Sequence, residues 1–279
     1  MIFALMLFLT VGMVGGFFSG LLGIGGGIIM VPLLSLAFSL LGADPDQIYR
    51  LAVGTSLASI AFTSFSSARA HNKYMPLRWD LIKSLAPWLV LGTLAGSSVA
   101  TRLNPLFLKA FFTLFIFTLA VNMLVGFKFG QRKNPVPPAL SAPVGALIGA
   151  ICSLVGIGGG TIIVPYLHWN CNTMRCAIAV SASLGVFISI SGALGYVVNG
   201  IVEHGFPGAG MPWGALGYVH LPALAAIMLT AVLFAPMGVK IAHKLTERRL
   251  KIIFGLMMLI IGTGMSVNLV RYFLAQLAS

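Results

Sequence analysis

Residues 1–43 carry no charged side chain, and residues 134–174 carry none when His168 is neutral. As one straight helix each run would measure about 60 Å, twice the hydrocarbon core of a bilayer. Each run must therefore cross twice, dip in and return, or break. Both hold the means to break. Gly23-Ile24-Gly25-Gly26-Gly27-Ile28-Ile29-Met30-Val31-Pro32 in the first is repeated as Gly156-Ile157-Gly158-Gly159-Gly160-Thr161-Ile162-Ile163-Val164-Pro165 in the second, at an offset of 133. Glycine costs about 1 kcal/mol per residue inside a helix, so a Gly-x-Gly-Gly-Gly run interrupts one.

Composition places the breaks in a membrane. The chain is 58% hydrophobic and 8% charged over 279 residues, whereas a soluble domain carries about 25% charged residues. Further apolar runs near 51–68, 84–101, 110–127, 176–198, 217–239 and 250–270 have the length of single spanning helices. The N-terminal run has no basic segment before Arg50 and reads as a retained first helix. The sequence thus predicts an all-α integral membrane protein with the lipid bilayer as its first partner.

Two more blocks repeat in the same order. Ala52-Val53-Gly54-Thr55-Ser56-Leu57 matches Ala179-Val180-Ser181-Ala182-Ser183-Leu184, and Leu108-Lys109 with Phe112 match Leu250-Lys251 with Phe254. The chain reads as a first transmembrane repeat over 1–127, a basic, proline-bearing cytoplasmic linker over 128–138, and a second repeat over 139–279.

Charge decides how the repeats are inserted. If each glycine run is a hairpin that returns to its starting side, one face collects 13 basic residues and the other 4 (Arg50, Arg102, Lys109 and Arg271). If both runs cross once, the split is 9 to 8. Cytoplasmic loops concentrate Lys and Arg, which favours the hairpin. Each half then has an odd number of crossings, so the second is inverted relative to the first. The expectation is ten helical segments, five plus five, in the cytoplasmic (inner) membrane with both termini extracytoplasmic.

The 17 basic residues against 5 acidic ones, a net +12, are accounted for by this topology and call for no nucleic acid. The acids Asp44, Asp46, Asp80, Glu203 and Glu247 all fall at or near loop positions. A carboxylate proton relay in the membrane core and an oxygen-ligand cation cage are therefore disfavoured. Cys152, Cys171 and Cys176 are too irregular for a disulfide framework. The five histidines lack the i, i+4 spacing of a helical metal pair, so neither metal nor cofactor is expected. His220 opens a span and suits an interfacial position.

Irregular backbone at membrane depth must face protein or a water-filled cavity. The residues after each break can start a new helix whose first N–H groups and dipole point into the gap. Two such N-termini near one point form a site for a small anion without any buried cation. Gly23, Gly25, Gly26, Gly27, Gly156, Gly158, Gly159, Gly160 and Thr161 are the candidate backbone. Thr55, Ser56, Ser181 and Ser183 are candidate hydroxyl donors, although such hydroxyls also bond their own helix backbone. Arg50 and Arg175, just before the second block in each half, could attract anions or simply snorkel to the interface. By contrast Gly12-x-x-x-Gly16-x-x-x-Gly20, Gly92-x-x-x-Gly96 and Gly145-x-x-x-Gly149 have the spacing of helix-packing glycines.

The paired Gly-Ile-Gly-Gly-Gly…Val-Pro and Ala-Val-x-x-Ser-Leu blocks resemble the sulfite exporter TauE/SafE family, from Gly15 to about Leu269. The stretch from Pro236 to Lys251 is similar to that family's late segment. The resemblance implies a permease for sulfite, sulfonates or other small sulfur-containing anions. Gly54-Thr55 stands where the second half has Ser181-Ala182, so the halves need not bind the anion equally. The resulting expectation is a secondary transporter that exports such an anion by alternating access around the two breaks. An anion channel and a proton-coupled uptake permease for an organosulfonate are the alternatives. A membrane enzyme is disfavoured, since no nucleophile–base pair and no catalytic residue stands out. A homo-oligomer is compatible with the sequence.

Overall fold

The computed structural model describes residues 2–22, 26–72, 77–125, 140–168, 171, 174–206, 210–242, 252–253 and 255–267. Within them the first half supplies α1 (Ile2–Leu22), α2 (Gly27–Leu40), α3 (Pro45–Asn72), α4 (Trp79–Arg102) and α5 (Pro105–Val125). The second supplies α6 (Ser141–Val155), α7 (Gly160–His168), α8 (Met174–His204), a small hairpin of β1 (Ala215–Leu216) and β2 (Val219–His220), α9 (Leu221–Ala242) and α10 (Gly255–Val267). The protein is thus an all-α membrane fold of ten helices among the described residues, and six of them are long and apolar enough to span. The linker at 128–138 lies outside the described residues.

Local chemistry explains the helix starts. Pro45 and Pro105 occupy first helical positions, where a missing N–H costs nothing. Asp44 Oδ1 accepts from Asp46 N at 3.0 Å and Asn104 Oδ1 from Leu106 N at 2.8 Å, capping both turns. The expected span at 217–239 begins later, at Leu221. Gly214 and Gly217 take positive φ there, and the apolar residues up to His220 turn as a hairpin before the helix starts.

Glycine stripes set the helix pairs. On α1, a Cβ at Gly16 would strike the backbone of Ala231 and one at Gly20 that of Ala235, both on α9. On α4, Gly92 and Gly96 sit against Ala146 and Ala150 of α6, while Gly149 of α6 sits against Leu89 and Thr93 of α4. Numbers rise together across both seams, so α1 runs parallel to α9 and α4 to α6. Bare backbones approach closely here, which is how membrane helices associate when lipid is as apolar as the partner.

At the centre α3 packs on α8. Arg50, early in α3, reaches Glu203, late in α8, so the two run antiparallel. Both carry polar side chains inward: Thr55, Ser56, Ser59, Ser181, Ser183 and Ser189 are all buried. The first glycine run folds back as a hairpin, for Phe8 of α1 packs against Phe38 of α2 with ring centroids 5.7 Å apart and the rings tilted by 58°. Cys152, Cys171 and Cys176 are buried and not joined as disulfides, and Cys176 Sγ donates to Cys171 Sγ at 2.9 Å.

Candidate functional site

The two glycine breaks meet. A Cβ on Gly27, the first residue of α2, would strike the carbonyl oxygen of Gly156 and come within 2.8 Å of Ile157 Cα. A Cβ on Gly156 would in turn stand 2.7 Å from Val31 Cγ2 on α2. Segments 133 residues apart in sequence are therefore in direct backbone contact at the core of the molecule. Left-handed glycines allow the turns. Gly26 (φ 71°) precedes α2, Gly156 (φ 75°) ends α6, and Gly159 (φ 81°) precedes α7.

A broken helix leaves carbonyls unpaired on one side of the gap and N–H groups unpaired on the other. At the second break the carbonyl side is satisfied by neighbours. Tyr196 of α8 donates to Ser153 O at 3.0 Å, Tyr49 of α3 to Leu154 O at 3.3 Å, and Ser56 to Gly156 O at 3.2 Å. The N–H side is different. The intrahelical ladder begins with Ile29 and Met30 bonding Gly26 O, and with Ile162 and Ile163 bonding Gly159 O. The N–H groups of Gly27, Ile28, Gly160 and Thr161 precede it. Each short helix thus presents its positive end at the break, with no basic side chain needed.

The hydroxyls divide sharply. Thr55 Oγ1 accepts from His220 N at 3.0 Å, Ser56 is committed to Gly156 O, and Ser183 donates to Ala179 O at 3.1 Å. Among the described residues, Thr161 Oγ1 and Ser181 Oγ are buried without a hydrogen-bond partner. A buried polar atom left unpaired costs about 1–3 kcal/mol, so these two mark where a guest would be welcome. From outside the repeated blocks, Ser64 of α3 and Ser189 of α8, which donates to Gly185 O at 2.6 Å, lie at the second break. Both Oγ atoms lie 3.6 Å from the place a Cβ on Gly158 would occupy. No motif marked either serine, because each is one hydroxyl among many in an apolar helix.

Gly23 and Gly25 lie outside the described residues, as does the side chain of Arg175, which sits in the first turn of α8. Arg50 does not stand free. Its guanidinium donates to Glu203 at 3.3 Å, to the Tyr218 hydroxyl at 3.1 Å and to Leu103 O at 3.1 Å. Tyr218 is carried by the β1–β2 hairpin, which the apolar run concealed; the Gly214 and Gly217 pair was its signal. Burial, with Glu203 as acceptor, raises the Tyr218 pKa and keeps the hydroxyl protonated. Next to it His220 accepts from Ala223 N at 3.1 Å through Nδ1 and so caps α9. Burial lowers its pKa, partly offset by a bond to the Trp213 backbone. Among the described residues no cluster of three metal-binding side chains forms.

The family model for the sulfite exporter TauE/SafE matches residues 8–265. A probable membrane transporter protein of Haemophilus influenzae is 32% identical over 262 residues, covering 94% of this chain and 97% of the relative. A probable membrane transporter protein of Methanocaldococcus jannaschii is 27% identical, covering 93% and 94%. One from Xylella fastidiosa is 28% identical, covering 79% and 87%. No solved structure matches the chain at a significant level. With a match over nearly the whole chain and a fold of apolar spans around two glycine breaks, the chain belongs to the sulfite exporter TauE/SafE family and is a membrane transporter.

Proposed function

We propose that the chain is a secondary transporter that exports a small sulfur-containing anion, such as sulfite or a sulfonate, across the cytoplasmic membrane. The observation that carries this reading is the contact between the two breaks, with the N-terminal ends of α2 and α7 at it and, among the described residues, two buried hydroxyls without a hydrogen-bond partner, Thr161 and Ser181. A site built from N–H and O–H donors favours an oxyanion. Its lack of a carboxylate suits export, because an interior-negative potential drives an anion outward by about 2.3 kcal/mol per charge per 100 mV.

Two inverted repeats, 1–127 and 139–279, underlie the proposed mechanism. Exchanging the halves turns the α1–α9 seam into the α6–α4 seam, and both seams are parallel and glycine-lined. The corresponding helices α3 and α8 run antiparallel. These relations support an in-plane pseudo-twofold axis. The short helices α2 and α7 have 14 and 9 residues and would together reach about 35 Å end to end, roughly one bilayer core. That supports a site within the membrane and rocking of the halves about it. The basic excess supports termini on the extracytoplasmic side.

In proteoliposomes, an imposed interior-negative potential is expected to drive labelled sulfite outward, with saturation and counterflow. Saturable exchange separates a carrier from a channel. Absence of flux for sulfite, thiosulfate, sulfoacetate and taurine alike refutes the proposal.

A further inference from the structure

Among the described residues six side-chain atoms are buried without a partner: Ser35 Oγ on α2 stands by itself, and the other five fall in two groups. Thr161 and Ser181 belong to the glycine site. Three more, Gln47 Oε1, Arg50 Nε and His204 Nδ1, lie together at the end of the bundle where α3 begins and α8 ends. Gln47 and Arg50 are three residues apart on α3 and so share a face. Gln47 Nε2 lies 3.4 Å from His204 Nε2, and Glu203 precedes His204 on α8. Four parts of the chain converge on one guanidinium: α3 itself, Glu203 of α8, Tyr218 of the hairpin and the carbonyl of Leu103 after α4.

We infer that Arg50 is a second anion-binding site on the transport path, occupied at rest by the Glu203 carboxylate as a tethered stand-in for the oxyanion that passes. The inference rests on the transporter reading above. A guanidinium presents a planar fork of donors that fits the oxygen edge of a carboxylate and equally that of a sulfur oxyanion. The Arg50 side chain is 12% exposed and that of Glu203 44%. The cation is fixed in a desolvated place, while its partner can swing into water. An anion arriving at Arg50 therefore has a mobile competitor to displace rather than a rigid one.

The position fits a route. Six residues of helix, about 9 Å, separate Arg50 from Ser56 at the Gly156 carbonyl. Between them, Thr55 holds the hairpin through His220 N. The hairpin is bedded on bare backbone at Gly54 and Gly200, where a side chain would strike Tyr218 or Gly217. With Glu203 on Arg50, Tyr218 donates to Glu203 Oε2 at 2.7 Å and keeps the hairpin seated. Displacement of Glu203 by an oxyanion removes that acceptor. The hairpin keeps its bonds to Thr55, to Tyr196 O and from Arg50, so the exchange of one anion for another is confined to the Arg50 fork and the Tyr218 hydroxyl.

The test measures sulfite and sulfate affinity of the purified full chain in detergent, in wild type, Glu203→Gln, and Glu203→Gln combined with Arg50→Gln. Removing the tethered competitor is expected to tighten binding by about tenfold or more, and the double variant is expected to lose that gain. Acetate is expected to compete in Glu203→Gln, since it replaces the missing carboxylate. An affinity in Glu203→Gln equal to wild type, or a gain that survives loss of Arg50, overturns the inference. If Glu203→Gln does not fold, Glu203→Ala purified in acetate carries the same comparison. Binding to solubilised protein does not depend on flux. A protein with the predicted affinity changes but no transport would sink the exporter reading alone.

Discussion

Gly27→Ala is the smallest change that probes whether the two breaks must touch. Gly27 is not among the glycines with positive φ, and it begins α2, so alanine brings no backbone strain. Alanine in a helix is even favoured, by about 1 kcal/mol over glycine. What opposes it is one methyl group. It would overlap the Gly156 carbonyl and come within 2.8 Å of Ile157 Cα and 2.7 Å of Ile60 Cδ1. The isoleucine tip can rotate away, but the two backbone atoms cannot. Overpacking against rigid backbone costs about 1–3 kcal/mol. With the upper part of that range applying, the net loss is about 1–2 kcal/mol. Ser56 and Gly27 share the same carbonyl, so the methyl also pushes Gly156 off its hydrogen bond. The variant should insert normally, melt several degrees below wild type, and lose sulfite counterflow by about tenfold or more. Gly42→Ala is the control. Its φ is 75° and nothing lies within 4 Å of the added Cβ, so it costs only local strain of about 1 kcal/mol and leaves transport unchanged. Wild-type melting and wild-type flux in Gly27→Ala would refute the claim that close approach of the breaks builds the site.

The hydroxyls should separate binding from stability. Ser181→Ala and Thr161→Val remove buried unpaired atoms and should hold or raise the melting temperature while weakening sulfite binding in a thermal-shift titration. Ser56→Ala, which breaks a satisfied bond, should lower stability by about 1 kcal/mol. A drop in melting for Ser181→Ala with unchanged sulfite affinity would reassign that hydroxyl to packing. His220 gives a pH dependence of known sign. Its folded pKa is lowered, so its contribution is present above the unfolded value of about 6.5 and is lost as pH falls below it. Protonation at Nδ1 would also break the cap on Ala223 N. Melting curves from about pH 7.5 to 5.5 should show less acid destabilisation in His220→Asn, whose side-chain oxygen can keep the cap without titrating. Equal acid sensitivity in the two proteins would remove His220 from that account.

The breaks were legible because glycine acts locally. Its cost in a helix does not depend on what packs around it, and the repetition at offset 133 marked the position twice. The packing stripes were legible for the same reason, since i, i+4 glycines describe one helix face. Helix ends were less so. The apolar run at 51–68 is the middle of Pro45–Asn72; the helix adds buried Gln47, Ile48 and Tyr49 before it and the exposed Arg69 and Asn72 after it, and no apolar run marks those turns. The hairpin before α9 escaped because Ala215 to His220 is as apolar as the helix it precedes. Only Gly214 and Gly217 distinguished it, and in a chain with 33 glycines that signal is faint.

Which hydroxyls are free is a different kind of question. Thr55 and Ser56 stand in the same repeated block as Ser181 and Ser183, yet the first pair is engaged across the core, Ser183 bonds only its own helix, and Ser181 has no partner among the described residues. The cause is the hairpin and the break packed against α3. His220 N occupies Thr55, and the Gly156 carbonyl occupies Ser56. A repeat in sequence fixes the donors available but not the partners that consume them, because those partners come from segments about 100 residues or more away. The same holds for Arg50. Its place before the block suggested attraction of an anion, and the structure supplies the anion from within, as Glu203. A repeated sequence with unequal partners gives the candidate site one satisfied side and one unsatisfied side. The unsatisfied side, at the start of α7 with Thr161 and Ser181, is where substitutions should alter affinity most, and the α3 side is where they should alter stability.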